Sequence, residues 1–279
     1  MKIAVTGATG FIGKHVLAEL AKLPVDIITI TRQPSYQPKH PQEQVVLLDL
    51  KDSSSDTFQR INEPDLLIHL AWDGLSNYQS LHHFERELPI HYRFLKGLVT
   101  SGLKSIFAAG TCFEYGMQSG PLNESMDSRP NNPYGFAKNT LRQQLEYLNS
   151  ESEFTLTWGR LFYLYGEGQH KKSLLAGLNT SIKRGEQSFN MSGGEQLRDY
   201  QPVTLVAKQI VALALKQQNI GVINICSGNP ISVRQLVDDF VLEKNSDIQL
   251  NTGYYPYPDH EPMAFWGDNQ KLKKYLSHE

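Results

Sequence analysis

Apolar residues along the chain fall into two alternating patterns. Short, nearly continuous apolar runs, which are typical of strands buried on both faces of a parallel sheet, occupy residues 2–5, 25–30, 45–48, 65–71, 105–110 and 154–166. Between these runs, apolar residues recur at the three- and four-residue spacing of amphipathic helices, at residues 16–23, 81–102 and 134–148. This alternation predicts an α/β fold built on a right-handed, doubly wound parallel sheet.

The alternation becomes irregular in the last part of the chain. Helical spacing returns at residues 173–186 and 203–215, and a strand-like run covers residues 221–228. These pieces do not continue the regular order of strand and helix. We therefore predict a first domain over residues 1–167 and a smaller lobe, mainly over residues 168–279, with some later segments returning to the first sheet.

Composition and charge exclude several classes of protein. Hydrophobic residues make up 40% of the 279-residue chain and charged residues 20%, which is a globular rather than a disordered composition. Lys and Arg total 27 against 29 Asp and Glu, so the formal net charge is -2 and no surface for nucleic acid is expected. No apolar run approaches the ~18 to 20 residues that cross a bilayer, and the glycine-rich residues 1–13 do not have the pattern of a signal peptide.

The two cysteines, Cys112 and Cys226, are far apart in the sequence and follow no CxxC spacing. This pattern indicates neither a disulfide framework nor a zinc site, and it is typical of a reducing compartment. We therefore predict a cytoplasmic protein that contacts no membrane.

Four histidines lie close together in the sequence: His69, His82, His83 and His91. The first belongs to a predicted buried strand, whereas the others belong to a polar helix. Metal ligation needs convergent ligands in the company of carboxylates or thiolates, and the sequence indicates none, so no metal site is predicted.

The segment TGATGFIG places three glycines three residues apart between a predicted strand and a predicted helix. Glycine permits a tight turn and close approach of the backbone to a pyrophosphate, whose charge the helix N-terminus attracts. A simple tight turn is the alternative, but the position after the first strand favours a Rossmann-type dinucleotide site. The cofactor contacts predicted in this segment are Gly7, Thr9, Gly10, Phe11, Ile12 and Gly13.

The end of the second strand bears on which dinucleotide is bound. NAD sites usually place Asp or Glu there to hold the ribose hydroxyls, whereas the 2′-phosphate of NADP requires a nearby cation and no acid. Here the strand ends at Thr31 and Arg32. We therefore predict NADP(H) as the cofactor, with NAD(H) as the alternative if Arg32 is only a solvated surface residue.

A Tyr-x-x-x-Lys pair, Tyr134 and Lys138, opens the helix after the fifth strand. Residues four apart share one helix face, so we expect the ammonium to lie beside the phenol and to lower its pKa, which makes Tyr134 a candidate acid or base. The pattern is common by chance, and an ordinary core tyrosine is the alternative. The position at the carboxyl ends of the strands favours the chemical role, and Thr111, which ends the fifth strand, is placed to donate to the same substrate oxygen.

Taken together, the motifs resemble one family. TGATGFIG, GTCFEYG, PYGFAK and RDY occur in this order over nearly the whole chain, as in the extended short-chain dehydrogenase/reductases, and specifically in the NAD-dependent epimerase/dehydratase group that acts on nucleotide sugars. RDYQPV, NICSGNPISVRQLV and FWGD are similar to segments of the small reductases of 4-keto-6-deoxy sugars, of the dTDP-4-dehydro-6-deoxyglucose reductase type. The resemblance implies a nucleotide-diphosphate sugar as substrate and a place in deoxysugar or cell-surface polysaccharide (O-antigen) biosynthesis.

The resemblance also implies roles for individual residues. Thr111, Tyr134 and Lys138 are expected to form the catalytic triad, and the last two also to contact the cofactor. The other implied cofactor contacts are Asp49, Leu50, Leu70, Ala71, Trp72 and Phe162. The implied substrate contacts are Thr111, Cys112, Phe113, Tyr134, Tyr163 and Arg198. The arginine is expected to hold the diphosphate, a bidentate role that suits a guanidinium.

Two departures from the family pattern affect the choice of reaction. Tyr163 stands where many members have an asparagine that touches the sugar nucleotide. The 4,6-dehydratases place Asp and Glu directly after the catalytic Thr, whereas this chain has Cys112 and Phe113 there, with Glu114 one position late. Dehydration is therefore not expected.

The choice between NAD and NADPH distinguishes the reactions that remain, epimerisation and reduction. An epimerase oxidises and re-reduces the same sugar and keeps its NAD, whereas a reductase consumes one hydride in each turnover and draws on NADPH. The Thr31-Arg32 ending therefore predicts NAD(P)H-dependent reduction of the 4-keto group of a nucleotide-activated 6-deoxy sugar. A 4-epimerase with bound NAD is the alternative, and a non-catalytic NADP-binding regulator is a further one. By analogy with the family, residues 81–102 and 134–148 predict a homodimer.

Overall fold

A seven-stranded parallel sheet forms the centre of the structure, a computed structural model that describes residues 1–257, 259 and 261–277. The strands of the described part are β1 (Lys2–Thr6), β2 (Asp26–Thr31), β3 (Glu43–Leu47), β4 (Leu66–His69), β5 (Ser105–Thr111), β6 (Gly120–Leu122), β7 (Thr155–Leu161), β8 (Tyr163–Tyr165), β9 (Ser188–Asn190), β10 (Leu197–Arg198), β11 (Tyr200–Pro202), β12 (Gly221–Ile225), β13 (Ile231–Ser232), β14 (Gln249–Asn251) and β15 (Phe265–Gly267). The helices are α1 (Phe11–Leu20), α2 (Thr57–Arg60), α3 (Leu88–Thr100), α4 (Pro133–Glu151), α5 (Leu174–Lys183), α6 (Val203–Leu215), α7 (Val233–Glu243) and α8 (Gln270–Leu276). There are 3₁₀ turns at Leu50–Asp52 and Cys112–Tyr115, and a π-helical turn at His83–Glu87 precedes α3.

The strand order of the sheet is β12-β7-β5-β4-β1-β2-β3, and every neighbouring pair is parallel. Chain order reverses at β1, where Ile3 lies opposite Ile27 of β2 on one side and Leu66 of β4 on the other. In open α/β sheets, ligands bind beyond the carboxyl ends of the strands at such a reversal. The predicted doubly wound α/β fold is confirmed, and its crevice lies at the ends of β1 and β4.

Apolar layers cover both faces of the sheet. On one face, α3 and α4 pack through buried leucines, among them Leu95 and Leu145. On the other face, α1 and α6 contact each other and the sheet, and Leu20 and Ile210 belong to this second core. The central strands are therefore buried on both sides, which explains their nearly continuous apolar runs. None of the helices in the described part of the chain combines the length and the apolar character needed to span a membrane.

Segments from the last part of the chain contribute to two places. β12 is added to the edge of the sheet beside β7, and α6 and α8 pack on that sheet. α5 and α7 instead enclose a separate apolar cluster of Leu175, Leu178, Met191, Val233, Leu236, Val237 and Ile248. In the described part of the chain, short strands outside the main sheet pair with each other: β6 with β15, β8 with β11, β9 with β14 and β10 with β13.

Two elements differ from their sequence predictions. The helix expected over residues 81–102 starts as a π-helical turn and becomes α-helical only at Leu88. The strand expected over residues 154–166 divides into β7 and β8. The N–H of Phe162 still bonds to Ile225 of β12, but the N–H of Tyr163 bonds to the carbonyl of Asp199 (3.1 Å), so the chain leaves the sheet and β8 pairs with β11.

Candidate active site

A glycine turn joins β1 to α1 at the crevice. Gly7 has a φ of 67°, and a Cβ there would lie 2.6 Å from the backbone nitrogen of Ala71. A Cβ at Gly13 would lie 2.2 Å from the carbonyl oxygen of Gly7, so this glycine lets α1 pack against the turn. α1 starts at Phe11, and among the described residues no side chain caps its first turn. Its free N–H groups can therefore bind an anion.

A groove of about 390 Å³ extends from this turn, within the size range of cofactor sites. The predicted cofactor contacts that line it are Gly7, Thr9, Gly10, Phe11, Ile12, Gly13, Thr31, Arg32, Asp49, Leu50, Leu70, Ala71 and Trp72. Tyr134, Lys138 and Phe162 were also expected there, but they are not among its lining residues. Phe162 is buried in a separate apolar cluster, with its ring 6.5 Å from that of Phe265.

An exposed ion pair lies on the wall of the groove. The Nη2 atom of Arg32 is 3.5 Å from Oδ2 of Asp73, and both side chains are more than half exposed. Water solvates both charges of such a pair, so the attraction is weak and an anionic ligand could replace Asp73. Sequence reasoning missed Asp73, because its approach to Arg32 depends on how β2 and β4 end on either side of β1.

Thr111, Tyr134 and Lys138 meet where β5 ends and α4 begins. Asn132 caps α4 through a 2.8 Å hydrogen bond, which sets Tyr134 in the first turn. The side chain of Thr111 lies beside the Tyr134 phenol and lowers its pKa, against the larger effect of burial. Lys138 lies one turn later, with Nζ 4.2 Å from the centroid of the Trp72 ring. All three predicted catalytic side chains are at least nine-tenths buried.

Burial shifts the pKa of both ionisable members of this triad. Burial raises the pKa of the Tyr134 phenol, and the nearby charge of Glu114 raises it further. The expectation that Lys138 lowers this pKa is wrong, because the phenol is desolvated and the ammonium lies over the ring of Trp72 instead. Burial also lowers the pKa of Lys138 to about 7, against the opposing effect of the Glu114 and Glu87 carboxylates. Lys138 therefore changes its charge near neutral pH.

Aromatic side chains separate the triad from the groove. The ring of Tyr78 is stacked on that of Tyr134 at 5.1 Å between centroids, and His83 packs against Tyr134 at 5.2 Å. Trp72 lines the groove, and its ring centroid is 6.2 Å from that of Tyr134. Trp72 therefore forms the boundary between the groove and the triad.

The predicted substrate contacts that follow Thr111 lie beside the triad. Phe113 packs edge-on to Tyr134, with 6.4 Å between ring centroids. Cys112 is buried, and burial raises the pKa of its thiol, so it is not ionised at neutral pH. A buried thiol that stays protonated is a poor nucleophile.

The other two predicted substrate contacts share a carboxylate. The hydroxyl of Tyr163 donates to Oε2 of Glu261 (2.6 Å), and Nη2 of Arg198 donates to the same oxygen (3.0 Å). Arg198 is only 3% exposed and also donates to the carbonyl of Met263 (3.2 Å). A diphosphate could use this guanidinium only by replacing Glu261, a residue that sequence reasoning missed.

Comparison with known proteins identifies the family. The model for the NAD dependent epimerase/dehydratase family matches residues 3–226. The chain belongs to this family. The resemblance carried by the glycine turn and the Tyr134–Lys138 pair is thereby confirmed, and the chain is an enzyme of the epimerase/dehydratase family.

Members of the family align with this chain over its whole length. The dTDP-6-deoxy-L-talose 4-dehydrogenase (NAD(+)) of Aggregatibacter actinomycetemcomitans is 29% identical over 274 residues, which are 96% of this chain and 99% of that protein. The structure of UDP-glucose 4-epimerase from Thermotoga maritima with UDP-glucose has a TM-score of 0.86 at 24% identity, covering 98% of this chain and 92% of that one. UDP-glucuronic acid 4-epimerase from Bacillus cereus, with UDP-glucuronic acid and NAD, has a TM-score of 0.84 at 22% identity, covering 100% and 94%. The Rossmann-like fold is common to all of these structures.

A hydrogen-bonded series of four buried polar side chains, three of which line the groove, was missed by sequence reasoning. The Thr6 hydroxyl is 2.8 Å from Nδ1 of His69, whose Nε2 is 2.8 Å from Nδ1 of His91. Nε2 of His91 is in turn 3.2 Å from Oε2 of Glu87. A carboxylate only accepts hydrogen bonds, so each neutral imidazole donates toward Glu87 and Thr6 donates to His69.

In this hydrogen-bonded series the two histidines are neutral, and the charge lies on Glu87. Burial lowers the pKa of both His69 and His91, so both stay neutral. Burial alone raises the pKa of Glu87, but hydrogen bonds from His91 and from the Asp73 N–H outweigh it and lower that pKa to about 2. His69 and His91, which the sequence placed on a buried strand and on a polar helix, are thus hydrogen-bonded to each other. Among the described residues, no group of three or more His, Cys, Asp or Glu side chains is arranged to hold a metal ion.

Proposed function

We propose that the protein reduces the 4-keto group of a nucleotide-activated 6-deoxy sugar with NAD(P)H. The observation that carries this proposal is that the hydroxyls of Thr111 and Tyr134 lie side by side where β5 ends and α4 begins, which offers two donors to one substrate oxygen. The full-length similarity to a dTDP-6-deoxy-L-talose 4-dehydrogenase supports the same carbon and sugar class, because reduction of a 4-ketone is the reverse of that oxidation. The residues directly after Thr111, Cys112 and Phe113, supply no acid for dehydration.

The groove fits a nicotinamide dinucleotide. Gly7 leaves no space for a side chain between the turn and Ala71, and the uncapped N-terminus of α1 suits a pyrophosphate. When bound, the dinucleotide would supply the hydride that reduces the carbonyl carbon. Arg32 would hold the 2′-phosphate of NADP(H) after leaving Asp73, so NADP(H) remains our preferred cofactor. NAD(H) is the alternative, since the 4-dehydrogenase relative is named for NAD(+).

The triad residues handle the proton. Tyr134 donates its proton to the substrate oxygen, and its raised pKa keeps the phenol protonated until then. Thr111 donates a hydrogen bond to the same oxygen. Lys138, when charged, stabilises the phenolate that remains and contacts the cofactor ribose, once the ring of Trp72 has moved from beneath its ammonium.

Substrate selection is assigned to the last part of the chain. Arg198 would hold the diphosphate in place of Glu261, and Tyr163 would face the sugar. In this proposal, residues 1–167 form the cofactor domain and residues 168–279 mainly the substrate lobe. A homodimer through α3 and α4 remains a prediction.

The test is turnover of purified protein with dTDP-, UDP-, GDP- and CDP-linked 4-keto-6-deoxyhexoses, followed by loss of the absorbance of NADPH or NADH. We expect one reduced cofactor to be consumed for each 4-hydroxy product formed. Conversion of a sugar nucleotide to its 4-epimer without net use of cofactor, by protein purified with NAD bound, would establish the epimerase instead. Tight NADPH binding without turnover of any of these sugars would favour the regulator.

A further inference from the structure

Glu114 is a fully buried carboxylate three residues after Thr111, in the 3₁₀ turn Cys112–Tyr115. Its Oε1 accepts hydrogen bonds from the backbone N–H of Thr111 (2.9 Å) and from Nε1 of Trp158 (2.9 Å). Its Oε2 accepts from Nε of Arg160 (2.8 Å). From the sequence, Glu114 was considered only as an acid for dehydration. In the structure, these hydrogen bonds direct its carboxylate toward the protein interior.

Gly110 makes room for this carboxylate. A Cβ at position 110 would lie 2.6 Å from Oε1 of Glu114 and 2.2 Å from Nε1 of Trp158, closer than real side chains approach. The residue before Thr111 must therefore be glycine for the carboxylate to reach the Thr111 backbone. Gly110, Thr111 and Glu114 thus form one local unit at the end of β5.

The same turn orients the hydroxyl of Thr111. Its oxygen accepts the N–H of Phe113 (3.3 Å) while the Glu114 carboxylate accepts the N–H of Thr111, which is a reciprocal capping box. Because the oxygen already accepts this N–H, the hydroxyl proton remains available for another partner, and the Tyr134 phenol lies beside it.

Arg160 is the ion-pair partner of this carboxylate in the protein interior. Glu114 is 0% exposed and Arg160 is 2% exposed, and a charge buried at such a depth is costly without a partner. The guanidinium also donates to Oγ of Ser128 (2.6 Å) and lies 4.3 Å from the centroid of the Tyr115 ring. Arg160 donates to Oε2 of Glu114, and Oε1 accepts from Thr111 and Trp158.

We propose that Glu114 is a positioning residue that holds the Thr111 hydroxyl against the Tyr134 phenol. This role rests on the proposed function, because the pair matters for turnover only if both groups act on one substrate oxygen. Thr111 is the last residue of β5, so the restraint supplied by the sheet ends there. The carboxylate restrains the backbone at this point without touching substrate or cofactor.

Two double variants separate the hydrogen bond to Thr111 from the ion pair. Glu114→Gln with Arg160→Met removes both charges but retains an amide oxygen that can accept from the Thr111 N–H. Glu114→Met with Arg160→Met removes that acceptor as well. Replacing both members of a buried pair avoids leaving one charge unpaired. We expect the Gln variant to keep kcat near the wild-type value and the Met variant to lose about 100-fold in kcat at unchanged cofactor KM, since a misplacement of about 1 Å costs roughly that factor.

Thermal unfolding establishes that both double variants are folded, and Trp158→Phe is the matched control. It removes the other donor to Oε1 and leaves the Thr111 bond, so it should keep kcat. Equal kcat in the two double variants, or an equal loss in Trp158→Phe, would overturn the proposal. If the Met variant does not fold, Glu114→Asp replaces it, because the shorter acid keeps its charge for Arg160 but draws back from Thr111.

Crystal structures of the two double variants distinguish a failure of this role from a failure of the proposed function. If wild-type protein reduces none of the 4-keto sugars, the proposed function fails, yet the position of Thr111 can still be compared. We expect Thr111 to keep its wild-type position beside Tyr134 in the Gln variant and to move away in the Met variant. An unchanged Thr111 in the Met variant would show that Glu114 does not position it.

Discussion

The groove and the triad of this site are built in opposite ways. The groove is formed by backbone at the glycine turn and by exposed charges, such as the Arg32–Asp73 pair, that water solvates. The triad is formed by buried side chains, and burial shifts the pKa of both Tyr134 and Lys138. Substitutions in the groove should therefore change cofactor affinity, whereas substitutions in the triad should change the rate of the chemical step or the stability of the fold.

Tyr134→Phe is expected to show the largest difference between the effect on kcat and the effect on cofactor affinity. Loss of a general acid costs about 10²- to 10⁴-fold, so we expect kcat to fall by about 1000-fold. The groove does not include Tyr134, so the dissociation constant of NADPH, measured by fluorescence titration, should stay nearly constant. Parallel losses of affinity and kcat would contradict the division of the site into two parts.

Lys138→Met tests how much the buried charge of Lys138 destabilises the folded protein. The pKa of Lys138 is lowered from 10.5 to about 7 by folding, so between these values the unfolded chain holds the proton that the folded chain has lost. Wild-type stability should therefore rise with pH across this window, by up to about 5 kcal/mol at ~1.4 kcal/mol per pKa unit.

The methionine variant should lack this rise, so its advantage over wild type is largest below about pH 7 and shrinks at higher pH. Thermal unfolding of both proteins over this range is the measurement. Parallel pH profiles for the two proteins would show that Lys138 carries no such charge.

Gly7→Ala tests the backbone of the groove. The new Cβ would meet the backbone of Ala71 at 2.6 Å, and a left-handed residue other than glycine adds roughly 1–2 kcal/mol. We expect dinucleotide affinity to fall by about tenfold or more. Gly97→Ala is the control, because Gly97 lies within α3, no described atom is within 4 Å of the added Cβ, and helix propensity should stabilise the variant slightly. Equal affinity in the two variants would contradict the expected tight turn.

Arg32→Ala should have the smallest effect. Removing one exposed cation should weaken NADPH by about tenfold, or ~1.4 kcal/mol, and leave NADH nearly unchanged. Lys51→Ala, which removes another cation of the groove, should not discriminate between the two dinucleotides. If Arg32→Ala weakens both cofactors equally, the preference for NADP(H) loses its basis.

The groove and the triad also differ in how they could be predicted from the sequence. The glycine turn is one continuous segment, TGATGFIG, and most of the groove is lined by this turn and by residues at the ends of successive strands, so both could be predicted. Thr111, Tyr134 and Lys138 could be placed together because parallel strands deliver their carboxyl ends to one edge of the sheet.

Most of the supporting contacts could not be predicted, because they join side chains that are distant in the chain. Glu87 is an ordinary charged residue in a polar helical segment until packing brings His69 of β4 to His91 of α3. Glu114 reaches Arg160 across 46 residues, and Glu261 reaches Arg198 across 63. A charged residue that is buried with a partner has no local pattern in the sequence that distinguishes it from a solvated one.

The π-helical turn His83–Glu87 gives one carboxylate access to imidazoles on both sides of it. Glu87 lies 3.2 Å from Nε2 of His82, five residues earlier, and 3.2 Å from Nε2 of His91, four residues later. Five is a π-helical spacing and four an α-helical one. Deleting a single residue before Glu87 would restore a regular α-helix and rotate His82 by about 100° around its axis. This wall of the groove is therefore more sensitive to the length of the segment than to the identity of most of its residues.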